Sequence, residues 1–263
     1  MTALRVQVEG IGLWTPQATD FEALRRVLGG GATAEPVARP AATALSVNER
    51  RRAPESVLVA IEVASQAVNM SRRSAGNLAC VFASAYGDQA TTDYMCRVLA
   101  KTPGELSPTR FHNSVHNASA GYWTIATDCH APSSAICAGP ASFGAGLLEA
   151  AVQACAKQCA VLLVCSDTAG VGPLGELIGC QLAFGSALII SPAADERMPQ
   201  LNLALVEDAP RHPPLQAACA TWMRDNPSAA CLPVMAMLAD GGGECVVAAS
   251  AKRGLLVKME VSA

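Results

Sequence analysis

The apolar positions fall into short runs of two rhythms, and their order predicts strands alternating with helices. Residues 4–11 alternate apolar with polar side chains and predict a strand, followed by a turn at Trp14-Thr15-Pro16. Asp20 then caps a short helix carrying Phe21, Leu24, Val27 and Leu28, which Gly29-Gly30-Gly31 stops. Residues 32–53, rich in Ala, Pro and Arg, read as a loop, and residues 54–70 as a second helix with Leu58, Ile61, Ala64 and Val68 on one face. Apolar runs at 78–83, 160–165 and 182–190 predict buried strands, and helices are expected over 89–100 and 117–128. Beyond Pro192 the pattern predicts a strand at 201–206, one or two helices within 213–240, and a terminal hairpin over 245–261 around Lys252-Arg253-Gly254. Strands separated by helices or long crossovers indicate an α/β sheet covered on both faces.

The chain is organised around residues 131–154. A short extended piece ends at an Ala138-Gly139-Pro140 corner, and a helix starts with Pro140, where the missing N–H costs nothing. Phe143, Leu147, Leu148, Ala151 and Cys155 follow at helical spacing, so one face is buried. A strand feeding a helix N-terminus is a place for a nucleophile, because free N–H groups and the helix dipole stabilise a thiolate or an oxyanion. Cys137 sits beside that corner, so it is either a reactive thiol or packing.

Composition narrows the choice. With 51% hydrophobic residues and only 16% charged, the 263-residue chain has ample core but little to solvate a lone monomer, so part of its surface is expected to meet another subunit. A net charge of -3 argues against nucleic acid. The basic residues Arg50, Arg51, Arg52, Arg72 and Arg73 read mainly as a solvated rim, and otherwise as a dock for an acidic carrier protein. The eleven cysteines stand singly among Ala and Val with no C-x-x-C pair, as buried hydrophobes in a reducing cytoplasm rather than disulfides or a metal site. Residues 1–10 lack the apolar core of a signal peptide, and no run is long enough to span a membrane.

Three motifs carry candidate chemistry. Gly170-Val171-Gly172-Pro173-Leu174-Gly175 matches a dinucleotide fingerprint, but Pro173 breaks the pattern and the next strand arrives too soon, so no cofactor is expected there. Cys137, His116 or His112, and Asp167 could supply a nucleophile, a base and an orienting acid if the fold brought them together. Phe111-His112-Asn113-Ser114-Val115-His116-Asn117 is a polar cluster suited to capping the next helix, to a subunit contact, or to contact with an acyl tunnel.

Taken in order, these features resemble the N-terminal half of the β-ketoacyl synthases, the condensing enzymes of the thiolase-like superfamily. The resemblance runs from about residue 1 to 192 and takes in the opening strand, the block at 107–118, Ala131-Pro132-Ser133 before the nucleophile strand, the corner and helix, Pro173-Leu174-Gly175, and the Leu182–Ile190 run. Asn48-Glu49-Arg50-Arg51-Arg52-Ala53-Pro54 and the 111–117 block are similar to the short chain length factors found with aryl-polyene biosynthesis. The resemblance implies a thiolase-like layered α/β half-fold, with a mixed, mostly parallel sheet flanked by helices. It implies two parts: a ketosynthase-like domain over 1–192, and an extension over 193–263 of strands and short helices that is not a second half. It also implies an active β-ketoacyl synthase as partner and acyl carrier protein engaged through the complex.

Two departures bear on activity. In the family the reactive cysteine lies three residues before the corner glycine; counting from Gly139 puts Ile136 there and Cys137 one residue late, turned to the other face. Active members also take two histidines from a second half, whereas the stretch after Ile190 holds only His212. The chain is therefore not expected to catalyse a condensation by itself. By the resemblance, Ile136, Phe143 and Leu147 near Gly139 would line or back an acyl tunnel, and Phe111, Asn113, His116 and Asn117 would lie at the dimer contact. Two other readings stand beside this one: an independent acyltransferase or thioesterase using Cys137, and a homodimeric acyl-binding scaffold.

Overall fold

The central strands carry apolar side chains on both faces, and this builds a three-layer molecule. In the computed structural model, which describes residues 4–259, Val161, Leu163 and Cys165 of one strand belong to one core, and Leu162 and Val164 to the other. The strands are β1 (Leu4–Trp14), β2 (Ala79–Ala83), β3 (Ser133–Ile136), β4 (Val161–Asp167), β5 (Phe184–Pro192), β6 (Gln200–Val206), β7 (Gly243–Ala248) and β8 (Gly254–Met259). They form one sheet in the order β3-β2-β4-β5-β1-β6-β8-β7. The helices are α1 (Phe21–Leu28), α2 (Val47–Arg52), α3 (Glu55–Ser71), α4 (Gln89–Lys101), α5 (Pro108–His112), α6 (Ala118–Ala126), α7 (Ser142–Lys157), α8 (Gly172–Ile178), α9 (Ala217–Asp225) and α10 (Leu232–Asp240). Helices α3 and α6 cover one face; α7, with α1, α9 and α10, covers the other. Among the described residues no helix is long and apolar enough to cross a membrane.

The sheet is mixed, but not mostly parallel. Only β3-β2 and β2-β4 pair in parallel; β4-β5, β5-β1, β1-β6, β6-β8 and β8-β7 are antiparallel. The reason is the connections: β4 reaches β5 through the short α8 excursion, and β7 and β8 form a hairpin, so neither link crosses over the sheet. The expected hairpin falls where predicted, with its last two residues outside the described range.

The loop expected over 32–53 holds one helix. Ser46 Oγ accepts from Glu49 N, and Glu49 Oε2 accepts from Ser46 N at 3.1 Å, a reciprocal capping box that starts α2. Of the basic residues read as a rim, Arg73 is bound instead: its guanidinium forks onto Glu9, which Ser191 and Gln7 also hold, and together they lower the Glu9 carboxyl to about 2.

Residues after Pro192 complete the core around α7. Strands β6, β8 and β7 continue the sheet beyond β1, and the sheet curls far enough for β7 to touch α7. A Cβ built at Gly144 would lie 2.1 Å from the Ala248 carbonyl, so only glycine permits that approach. The outer edge of β7 is closed, because Arg211 exchanges both backbone hydrogen bonds with Val246 at 3.0 and 2.8 Å. The opposite edge, β3, pairs only with β2 among the described residues.

Candidate functional site

The strand–corner–helix junction has the outline expected of it. Gly139 takes φ +54°, a left-handed conformation that suits glycine, and a 3₁₀ turn through Pro140 delivers the chain into α7 at Ser142. Ser142 Oγ accepts from Ala138 N at 3.0 Å and donates to the Gly139 carbonyl at 2.8 Å, fixing the corner. The helix begins two residues later than Pro140 suggested.

At the end of β3 successive side chains part company, as the pleat requires. Ile136 is half-buried against the α7 core. Cys137 is exposed, its thiol donates to the Ala85 carbonyl at 3.2 Å, and it lines a cleft of about 590 Å³ with His116, Asn117, Gly121, Thr124 and Ser133. The fold thus brings Cys137 and His116 to one cleft. His112 lies in a neighbouring cleft between α2, α5 and α6.

Asp167 does not complete a triad. It is buried at the end of β4, where Ser84 Oγ, Ala85 N, Tyr86 N and Ser228 Oγ all donate to its carboxylate at 2.6 to 3.2 Å. Those partners occupy the carboxylate, and burial outweighs them to raise its pKa. Asn226 Nδ2 donates to the Asp167 carbonyl at 2.9 Å and to the Leu182 carbonyl at 2.7 Å. Asp167 therefore ties three segments together: the loop after β2, the end of β4, and the turn before α10. Sequence spacing offered no sign of this, since Ser84 and Ser228 lie 144 positions apart.

The remaining candidates divide by burial. Phe143 and Leu147 are 1% and 0% exposed and pack in the core, so they can back the corner but do not open onto either cleft. Phe111 is exposed on α5. Asn113 is buried and accepts from Tyr122 Oη at 3.1 Å, binding the 107–118 block to α6. Asn117 precedes α6 without making a side-chain cap, contrary to the capping role open to it in the sequence. His212 is exposed, its Nδ1 2.7 Å from the Pro213 carbonyl. The glycine motif at 170–175 forms the start of α8, where Gly170 packs against Gly175 and Gln89, and Gly172 against Asp93. These close contacts explain the glycines by packing.

The eleven cysteines are all free, and they sort by depth. Burial raises the Cys80, Cys180, Cys231 and Cys245 thiols to about 12, and Cys219 to about 11. Iodoacetamide at neutral pH is expected to label exposed Cys96 and Cys137 first, Cys155 and Cys159 more slowly, and the seven buried thiols only on unfolding. Peptide mapping against labelling time checks this order; early modification of Cys80 or Cys231 would contradict the packing described.

A mixed sheet between helical layers, with a left-handed glycine corner leading into a buried helix, agrees with the layered α/β fold that the resemblance to thiolase-like ketosynthases implied. The chain belongs to the β-ketoacyl synthase N-terminal domain family, whose model matches residues 30–253. No curated protein is significantly similar in sequence. Among solved structures, a chain of the ketosynthase (ApeO)–chain length factor (ApeC) complex from Xenorhabdus doucetiae is similar at 20% identity and TM-score 0.69, over 97% of this chain and 99% of that one. A chain of AntDE:AntF, a type II polyketide acyl-carrier protein in complex with its ketosynthase, is similar at 11% identity and TM-score 0.73, over 99% and 100%. A β-ketoacyl synthase from Burkholderia phymatum is similar at 11% identity and TM-score 0.61, over 86% of this chain and 70% of that one.

Proposed function

We propose that the chain is a noncatalytic, ketosynthase-like subunit, a chain length factor, that pairs with an active β-ketoacyl synthase. With acyl carrier protein engaged through the complex, the pair would extend acyl chains in fatty acid or aryl-polyene type polyketide synthesis. The observation that carries this reading is the fold shared with a chain of a ketosynthase–chain length factor complex, at TM-score 0.69 over 97% of this chain and 99% of that one.

Three features support it. Counted from Gly139 as the resemblance implies, the nucleophile position falls on half-buried Ile136; Cys137 lines a cleft beside His116, and His212 Nδ1 lies against its own neighbour's carbonyl. Strands and helices after Pro192 cover α7 and belong to the same sheet and core, so the helix behind the corner is buried within this chain. Among the described residues strand β3 has an unpaired edge, with the 107–118 block and the apolar surface of α6 beside it, where Ile125 is 74% exposed. An open sheet edge flanked by apolar surface is suited to a partner subunit.

The test is co-expression with the ketosynthase encoded nearest to this chain. A one-to-one complex whose condensation activity survives Cys137→Ala is expected. A chain that stays monomeric beside the ketosynthase, or an activity of its own that Cys137→Ala abolishes, would overturn the proposal and favour an independent cysteine acyltransferase.

A further inference from the structure

Two buried thiols away from the clefts share one acceptor. Cys80 Sγ donates to the Leu78 carbonyl at 3.1 Å, and Cys129 Sγ donates to the same oxygen at 3.3 Å. A carbonyl oxygen has two lone pairs, so both bonds form together and bring the two sulfurs side by side. No other two thiols share an acceptor among the described residues. Backbone bonds fix each partner: Cys80 N donates to the Pro132 carbonyl at 2.9 Å within β2, and Cys129 N to the Thr124 carbonyl at 2.8 Å in the turn after α6.

The surroundings suit oxidation of this pair. Cys80 is 0% exposed and Cys129 6%, so Cys129 is the sulfur that a small solute meets first. The indole N–H of buried Trp123 has no hydrogen-bond partner among the described residues and lies beside the Cys80 sulfur. Burial raises the Cys80 thiol, Cys129 adds to that, and the Trp123 N–H acts against both by favouring a thiolate. Among the described residues no third metal-binding side chain joins the two cysteines, as a zinc site needs. Joined to each other, the thiols give up only weak donor bonds, and a disulfide leaves no charge in the apolar core.

We propose that Cys80 and Cys129 are a site of reversible oxidation, closed to a disulfide by hydrogen peroxide, with Trp123 steadying the Cys80 sulfur as its proton leaves. Peroxide, little larger than water, enters where iodoacetamide does not. The Cys129 sulfur attacks one peroxide oxygen: an S–O bond forms, the O–O bond breaks, and the departing hydroxide takes the thiol proton as water. The Cys80 sulfur then displaces the oxygen from the Cys129 sulfenic acid, and its own proton leaves with that oxygen as a second water. Both cysteines are oxidised and peroxide is reduced. The link ties β2 to the turn that leads into β3, and a thiol reductant reopens it.

The test treats the full chain with hydrogen peroxide after iodoacetamide has blocked Cys96, Cys137, Cys155 and Cys159, and maps its peptides by mass spectrometry without reduction. A Cys80–Cys129 crosslink that dithiothreitol removes is expected as the dominant disulfide, whereas in urea the same treatment should scatter pairings over the seven buried cysteines. Cys129→Ser, with circular dichroism confirming the fold, is expected to leave Cys80 reduced. Trp123→Phe, likewise folded, is expected to slow crosslinking about tenfold, the loss of one donor to a charged sulfur. A native chain that forms no such crosslink, or no more of it than the unfolded chain does, a Cys80 oxidised as readily in Cys129→Ser, or a folded Trp123→Phe that crosslinks at the wild-type rate would each overturn the proposal.

Discussion

Asp167→Ala is expected to destabilise the protein by about 4 kcal/mol, from two buried amides losing their acceptor at about 1–3 kcal/mol each. The carboxylate accepts from the amides of Ala85 and Tyr86 and from the hydroxyls of Ser84 and Ser228. The hydroxyls can turn toward other acceptors; Ser228 Oγ already lies 3.3 Å from Cys165 Sγ. The amides are fixed by the loop after β2. With that loop loosened, the Ala85 carbonyl that receives the Cys137 thiol should shift as well, coupling the β3 edge to a residue it never touches. Urea unfolding of wild type and variant measures the loss. A change under about 1 kcal/mol would show that water replaces the carboxylate without cost.

The same residue makes stability depend on pH. Burial raises the folded-state pKa of Asp167 above its ordinary value of 3.8, so the folded protein holds this proton more tightly than the unfolded chain does. That contribution is fully present below the ordinary value and is lost as pH rises through the folded-state one. Asp167→Asn should remove this slope. Glu9 has the opposite sign: lowered to about 2, it contributes stability above its ordinary 4.5 that is lost as pH falls through about 2. Unfolding curves of the two single variants across acidic pH separate the two contributions.

Gly12→Val is expected to cost 3 kcal/mol or somewhat more, at about the upper end for overpacking. Helix α3 crosses β1 so closely that a Cβ at Gly12 would sit 2.0 Å from the Val63 carbonyl oxygen and 2.8 Å from its carbon. The obstacle is backbone of a buried helix, so relief requires α3 to lift from the sheet, and with it the core of Val57, Leu58, Ile61 and Ala64. Gly121→Ala makes the contrast, because its Cβ has open space and lies inside α6. It should stabilise by about 0.5–1 kcal/mol through helix propensity. Thermal unfolding of the pair checks both signs, and a Gly12→Val as stable as the wild type would mean that α3 is less tightly seated than described.

Much of the layout is legible in the chain itself. The runs at 160–165 and 182–190 read as buried strands, because a strand covered on both faces carries apolar residues without alternation. The Asp20 cap is found in the structure, with Ala23 N donating to Asp20 Oδ1 at 2.7 Å. Helix α2 was missed, since one and a half turns with no buried residue leave no periodic apolar signal; Ser46 and Glu49 were its only trace. The parallel bias was wrong because strand direction follows from where each connection returns. In the site, the sequence singled out Cys137 and the histidines by residue type but could not show which share a cleft. It left open a triad with Asp167 that the fold does not make.

The sequence by itself determined most of the strands and the longer helices, and where the glycine corner falls, because hydrophobic period, caps and left-handed positions are local properties of the chain. The tertiary structure alone decided that residues after Pro192 curl the sheet around α7 and that Asp167 is consumed by Ser84 and Ser228. Those depend on contacts between residues tens to more than a hundred positions apart, and such contacts leave no spacing in the chain to read.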